Sequence, residues 1–258
     1  MKYSLFYLLS SLSFYFYYLI EIIGFIVTKI LFQFDVKGRE RLKNLKGKAI
    51  FVINHCHYLD SLLTALSVFP KYVRFAGMLS HFQNPILKFL LPLLGAFPIR
   101  IDGKEDKFSF KFIKETLSKN GFIGFFPEYH MKLNSNFVGK FRIGAFMYSY
   151  YFKASIVPVA ITINNLYLKK GVKLPLFKKI IIEILEPRLI CDFPNSGLSG
   201  NEISFLELKK NSNSEFLKFL NDYAQNIRDE ISKTVLLNSK EYIINLNPLN
   251  FIKGFFNR

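Results

Sequence analysis

Apolar positions are arranged differently in the first 34 residues and in the rest of the chain. The run from Tyr3 to Ile20 holds no charge, and residues 1–34 carry only Lys2, Glu21 and Lys29. About 18 uncharged apolar residues is the length at which a membrane helix becomes a candidate. The segment is therefore expected to be a hydrophobic membrane anchor. A single span and a helical hairpin dipping into one leaflet both fit. Glu21, poorly placed in hydrocarbon, and the aromatic cluster Phe14 to Tyr18, suited to headgroup depth, favour the hairpin. A cleaved secretory signal would want a stronger basic start, a shorter apolar core and a small-x-small site, and none of these is clear.

Beyond the anchor the pattern alternates between strand-like and helix-like runs. "VKGRERLKNLKGK" (Val36 to Lys48) is polar, basic and Gly-punctuated, as in a linker with a turn. Ala49 to Ile53 is a short β-branched apolar run, hence a buried strand, and "DSLLTALSVF" after it has helical spacing that Asp60 can cap. A strand follows near Val73 to Ala76. Asn84 and Pro85 open an apolar helix that Pro92 and Gly95 end, before a strand over Phe97 to Ile101. Phe108 to Ser118 reads as an amphipathic helix, "GFIGFFPE" as a strand, Phe141 to Phe152 as a helix, and "SIVPVAITI" and Lys178 to Glu186 as strands. Residues Ser196 to Ser214 read as a loop. Ser212 and Glu215 have capping-box spacing before a helix over Phe216 to Leu237. The alternation predicts an α/β fold: a mostly buried central β-sheet flanked by helices, behind an N-terminal membrane-inserted helical segment. The expected division is 1–34 anchor, 35–237 α/β domain and 238–258 a basic, aromatic tail, suited to a lipid contact or to disorder.

A net charge of +16 over 258 residues narrows the partners. Nucleic acid, anionic lipid and anionic small substrates all favour a basic protein. No RNA-binding recognition strand or zinc-ribbon spacing is present, so nucleic acid is not expected. Lys and Arg are dispersed rather than blocked, so the charge supports a membrane surface only together with the anchor. Cys56 and Cys191 form no disulfide framework, and a reducing, cytosolic setting is the default.

Candidate chemistry is concentrated in "NHCHYLD", Asn54 to Asp60. A metal reading takes His55, Cys56 and His57 as donors, but structural zinc needs four ligands in recurring spacings and no second Cys/His cluster exists. A structural reading makes Asp60 an N-cap and His55 a polar loop residue. The catalytic reading depends on where the elements break. Residues five apart do not meet on a continuous helix, but at a strand end followed by a turn and helix start the carboxylate can fold back onto the imidazole. Asp60 then fixes the His55 tautomer and stabilises the imidazolium, leaving the other ring nitrogen to take a proton from a substrate hydroxyl. No Gly-x-Ser-x-Gly elbow occurs, which suits direct acyl transfer to an alcohol.

From about Val36 to Ile163 the chain resembles the lysophospholipid acyltransferase superfamily, most closely the bacterial 1-acylglycerol-3-phosphate acyltransferases. Asn54-His55-x-x-x-x-Asp60 resembles that family's Asn-His-x-x-x-x-Asp block, whose His and Asp act as base and orienter. Gly95-Ala96-Phe97-Pro98-Ile99-Arg100 resembles its second block, with an Arg for acceptor phosphate. Phe126-Pro127-Glu128 resembles the start of Phe-Pro-Glu-Gly-Thr-Arg, whose Glu contacts the acceptor. Phe141-Arg142-Ile143-Gly144-Ala145 and Ile156-Val157-Pro158-Val159-Ala160 resemble the later blocks. The chain departs at Tyr129-His130-Met131, where the family reads Gly-Thr-Arg, and Lys132 and Arg142 are either replacements for the missing charge or surface cations.

The resemblance implies transfer of an acyl group from acyl-CoA or acyl carrier protein to a lysophospholipid hydroxyl, with 1-acylglycerol-3-phosphate as the first acceptor to consider, in phosphatidate and phospholipid biosynthesis. His55 and Asp60 are the expected catalytic pair. Asn54, Arg100, Phe126, Pro127, Glu128, Lys132 and Arg142 are expected to bind substrate. The scheme requires no metal or bound cofactor. Its partners are membrane lipids and the acyl thioester, with the α/β domain on the cytoplasmic side of the cell membrane. Two rivals are transfer to glycerol-3-phosphate or another lysolipid, and a non-catalytic membrane lipid-binding protein.

Overall fold

Strands joined through packed helices must pair parallel, because each crossover returns the chain to the same end of the sheet. The computed structural model describes residues 3–43, 45, 47–100, 106–128, 130–168, 173–190 and 214–244. Its strands are β1 (Phe32–Lys37), β2 (Ala49–Ile53), β3 (Val73–Met78), β4 (Phe97–Ile99), β5 (Phe122–Phe125), β6 (Ser155–Leu168), β7 (Lys173–Ile184) and β8 (Tyr242–Ile244). They form one sheet in the order β1-β7-β6-β2-β5-β3-β4, with β8 on β6. Strands β6, β2, β5, β3 and β4 run parallel, while β7 is antiparallel to β6 and parallel to β1. The α/β class expected from the alternation is the class observed.

The crossovers are α2 (Asp60–Val68), α3 (Leu87–Leu93), α4 (Lys107–Ser118) and α5 (Gly144–Phe152), and α6 (Ser214–Asn238) follows the sheet. All five residues of β2 are buried, the continuous apolar run expected of a strand covered on both faces. Its side chains alternate between two layers. Ile50 and Val52 join Phe112, Ile113, Phe146 and Leu220 under α4, α5 and α6, whereas Phe51 and Ile53 join Leu63 under α2. On α6 the stripe Phe216, Leu220, Ala224, Ile227, Ile231 and Val235 supplies one apolar face at helical spacing.

The N-terminal segment departs from the expected hairpin. It is one uninterrupted helix, α1 (Tyr3–Leu31), about 44 Å long at 1.5 Å per residue. By length and composition, Leu5–Gly24 is apolar enough to cross a membrane. Yet α1 is strapped to the domain by its polar positions. Arg74 donates to Ser10 Oγ at 2.6 Å, the Tyr17 and Tyr18 hydroxyls donate to the carbonyls of Lys71 and Pro70 at 3.2 and 3.1 Å, and Ser13 hydrogen-bonds Tyr72. Phe6 is fully buried against Phe108 and Phe112, with ring centroids 5.0 and 5.5 Å away. Leu8, Leu12, Tyr15, Leu19, Ile22 and Ile23 face outward. Ser10, Ser13, Tyr17 and Phe6 therefore turn inward, and the face that turns to the surroundings is mostly hydrocarbon.

Several boundaries move. Strand β1 begins at Phe32, so residues 32–34 belong to the sheet rather than to the anchor. The expected linker supplies the rest of β1 and a 3-10 turn over Arg39–Leu42. Strand β8 lies inside what was read as the tail. Pairing with β7 and β8 carries β6 past its apolar run to Leu168. Ile101, Tyr129, residues 196–213 of the expected loop with the Ser212 half of the capping box, and the expected tail from 245 lie outside the described residues.

Candidate active site

Strand β2 ends at Ile53 and α2 starts at Asp60, so the six residues between them form the bend that lets positions five apart meet. His55 Nδ1 lies 2.7 Å from Asp60 Oδ2. The same oxygen accepts the backbone N–H groups of Cys56 at 2.7 Å and His57 at 2.8 Å. An oxygen already accepting two N–H groups calls for a third donor, so the His55 ring presents Nδ1–H to it. Asp60 is fully buried at the first residue of a helix, and its Oδ2 meets all three of these groups. The capping expectation for Asp60 is corrected: the carboxylate reaches back to the loop, and no side-chain cap is formed at the start of α2.

His55 itself is held on every side except outward. Its ring stacks on Phe126, with centroids 4.3 Å apart and planes inclined by 26°. Its N–H donates to Glu128 Oε1 at 2.9 Å, and its carbonyl accepts the Lys132 N–H at 2.9 Å. Glu128 Oε2 accepts the Gly139 N–H at 2.6 Å. Burial pushes the Glu128 carboxyl above its ordinary range, and the N–H groups of Gly139 and His55 pull against that rise. Glu128 thus cross-links the loop before α2 to the loop after β5. Residues 130–139 form a strap along the catalytic loop, continued by the bond from Asn134 N–H to Cys56 O at 2.8 Å. Past the strap, the Arg142 N–H donates to Pro127 O at 3.0 Å.

The neighbouring groups are suited to other work. Cys56 is buried beside Asp60, and desolvation first, then the carboxylates, pushes its thiol well above the usual range, the opposite of an activated nucleophile. Desolvation holds His57 below the ordinary imidazole value, and its Nδ1 accepts the Leu59 N–H at 3.2 Å. Among the described residues no three His, Cys, Asp or Glu side chains are grouped as a metal site.

The expected substrate-binding residues are divided. Asn54 is buried with its amide turned to the sheet: it donates to Ile161 O at 2.9 Å and accepts Ile161 N–H at 2.7 Å, which makes it a clamp on β6. Phe126 stacks on the His55 ring and Glu128 accepts the His55 backbone N–H, buried Pro127 lies between them in sequence and accepts the Arg142 N–H, and Lys132 and Arg142 are exposed. Arg100 is exposed one residue past β4, its N–H bonded to Asp106 at 3.0 Å. Strand β4 is three places from β2 in the sheet, about 14 Å at ordinary strand spacing. Two residues were missed by sequence reasoning. Asn136 looked like one polar loop residue in "NSNFVGK", and Gly139 carried no motif, although a Cβ there would sit 2.8 Å from Glu128 Oε2. An open cavity of about 310 Å³ lined by Asn136, Ile163, Asn164, Asn165, Ser239, Lys240 and Glu241 holds none of the groups around His55.

The sequence profile of the acyltransferase family matches residues 33–162. Over 131 residues the chain is 28% identical to a chloroplastic 1-acyl-sn-glycerol-3-phosphate acyltransferase of Arabidopsis thaliana, covering 50% of this chain and 36% of that protein. A chloroplastic 1-acyl-sn-glycerol-3-phosphate acyltransferase of Brassica napus is 26% identical, with 50% and 37% covered. The match therefore spans little more than a third of either relative. The crystal structure of the 1-acyl-sn-glycerophosphate acyltransferase PlsC from Thermotoga maritima aligns with a TM-score of 0.49 at 19% identity, covering 82% of this chain and 78% of that one. The profile match takes in β2, the His55 and Asp60 pair, Glu128, Arg142 and the first half of β6: the chain belongs to the acyltransferase family.

Proposed function

We propose that the protein transfers an acyl group from an acyl thioester, acyl-CoA or acyl carrier protein, to the free hydroxyl of 1-acylglycerol-3-phosphate at a membrane surface. The observation that carries this reading is the 2.7 Å contact between His55 Nδ1 and buried Asp60, which leaves Nε2 to act as base. In the step, Nε2 takes the acceptor hydroxyl proton as that oxygen attacks the thioester carbonyl. The tetrahedral intermediate then expels the thiolate, and the imidazolium returns its proton to sulfur. Asp60 fixes the tautomer and stabilises the imidazolium throughout. Two relatives named for this acceptor support the choice of substrate. Arg100, Lys132 and Arg142 are the cations proposed to meet its phosphate.

The outward face of α1 supports residence on the membrane rather than passage through it. A helix bonded to the domain through Ser10, Ser13, Tyr17 and Tyr18 cannot also cross about 30 Å of hydrocarbon while staying docked. Lying in the interface, it buries Leu8, Leu12, Leu19 and Ile22 among acyl chains, on the side where the lipid acceptor and product reside. The test is release of free thiol from acyl-CoA by purified protein in lipid vesicles. Release should rise on adding 1-acylglycerol-3-phosphate, with labelled diacyl product formed in equal amount. Thiol release that ignores every lysolipid, or goes to water alone, would refute the assignment.

A further inference from the structure

Strand β6 outruns its neighbour. Pairing with β2 stops at Val159, and pairing with β8 begins only at Leu166. Between them Ile161 and Ile163 turn their N–H and C=O groups towards an edge where, among the described residues, no strand lies. Two asparagine side chains fill that edge. Asn54 bonds both backbone groups of Ile161 at 2.9 and 2.7 Å, and Asn136 bonds both of Ile163, each at 2.9 Å. Each amide presents one N–H and its oxygen to the strand, as a strand residue would. Asn54 is the residue before His55. Asn136 lies in the strap that binds His55 and Cys56 through Lys132 and Asn134, and binds Glu128 through Gly139. Its amide also reaches Ser239 Oγ at 2.9 Å, beyond the end of α6.

We propose that Asn136 is a positioning residue for His55, acting through the strap. The His55 carbonyl is held by the strap, and its N–H by the carboxylate that the strap also grips. Asn136 lies between those attachments, at 132 and 134 on one side and 139 on the other, and is the point where the strap locks to the sheet. With that lock removed, the strap can slide along the catalytic loop and the imidazole loses its aim. The inference rests on the reading of His55 as the base.

The experiment combines turnover of 1-acylglycerol-3-phosphate with hydrogen exchange on the full chain carrying Asn136→Leu. Exchange should quicken severalfold in both the 54–58 and 130–137 peptides, with the β2 and β5 peptides unchanged. kcat should fall about 10- to 100-fold, as expected of a base displaced by about 1 Å, while both Michaelis constants stay within about twofold. Asn136→Asp supplies a second arm should the leucine variant fail to fold. A neutral carboxyl keeps one donor and one acceptor, and an ionised one loses the donor facing Ile163 O. The ratio of its kcat to that of wild type should therefore be near one at the acid end and fall as pH rises. Loosened peptides with wild-type kcat, lowered kcat with unchanged exchange, or a pH-independent ratio would each overturn the proposal. A wild-type chain inactive with every acceptor would instead refute the transferase reading, and the exchange result would stand apart from it.

Discussion

The two ends of the candidate site are built on opposite principles. At the base end, Asp60, Glu128 and the backbone of His55 are tied by six hydrogen bonds of 2.6–2.9 Å, and both carboxyl groups are buried. At the proposed acceptor end, Arg100, Lys132 and Arg142 are exposed, and the Lys132 ammonium lies 3.6 Å from the Phe137 ring centroid. In the proposed reaction, the difference follows from what each end would have to do. A proton transfer needs one geometry, so every degree of freedom around the imidazole is removed. A charged headgroup needs only complementary charge within reach, and long flexible cations provide it with tolerance in position. Substitutions at the base end should therefore lower kcat, and those at the acceptor end should raise one Michaelis constant.

The largest effect should come from His55→Ala, with kcat reduced roughly 10³–10⁴-fold and vesicle binding unchanged. Asp60→Asn should come close behind, because the amide presents a donor to Nδ1 and selects the wrong tautomer. His57→Ala should stay within a few fold of wild type, since its ring is turned to Leu59 N–H and not to Asp60. Steady-state turnover of the three variants ranks the histidines. An inactive His57→Ala beside an active His55→Ala would reverse the assignment.

A smaller effect should separate the cations. Arg100→Ala removes a guanidinium able to pair two N–H groups with phosphate, and losing one charged hydrogen-bonding partner costs about 1.5–3 kcal/mol. The apparent Michaelis constant for the phosphate acceptor should rise roughly 10- to 100-fold, with that for the acyl donor unchanged. Lys132→Ala removes an exposed point charge and should cost only a few fold. Initial rates over acceptor concentration check both. A larger loss from Lys132→Ala would move headgroup recognition onto the strap, and no loss from either would point to an uncharged lipid alcohol.

What the sequence made legible follows the same division. The contact between His55 and Asp60 could be read because a buried strand, a short polar bend and a helix start let the carboxylate fold back onto the imidazole. The central strands could be read because burial on both faces leaves unbroken apolar runs. Strand β1 could not: "FQFDVK" alternates at a sheet edge beside a 29-residue apolar helix, and its partner β7 is distant in sequence. Nor could the docking of α1, because the serines and tyrosines that bond Tyr72, Arg74, Pro70 and Lys71 look like polar breaks in an anchor until those partners are placed. Asn136 was hidden for a related reason. A loop asparagine ordinarily serves its own turn, and here it serves a strand edge 27 residues later.

The smallest effect tests whether the two histidines of the loop are as different electrostatically as they are geometrically. Desolvation depresses the imidazole of half-buried His57, outweighing the opposing pull of Asp60. Its folded-state pKa thus lies below its unfolded value, and the unfolded chain binds the proton more readily. The stability this contributes is present above the unfolded imidazole range, near 6.5, and is lost as pH falls through the folded value. His57→Asn cannot titrate, and its side-chain oxygen can still accept Leu59 N–H. Between pH 7 and pH 5 the urea midpoint of the variant should drop less than that of wild type, while turnover at pH 7 stays within a few fold. An equal drop would mean that His57 is solvated in both states. A greater drop in the variant would reverse the sign and place a charged imidazole against Asp60, making the His57 ring, besides its backbone N–H, a partner of the carboxylate that the geometry gives to the His55 ring.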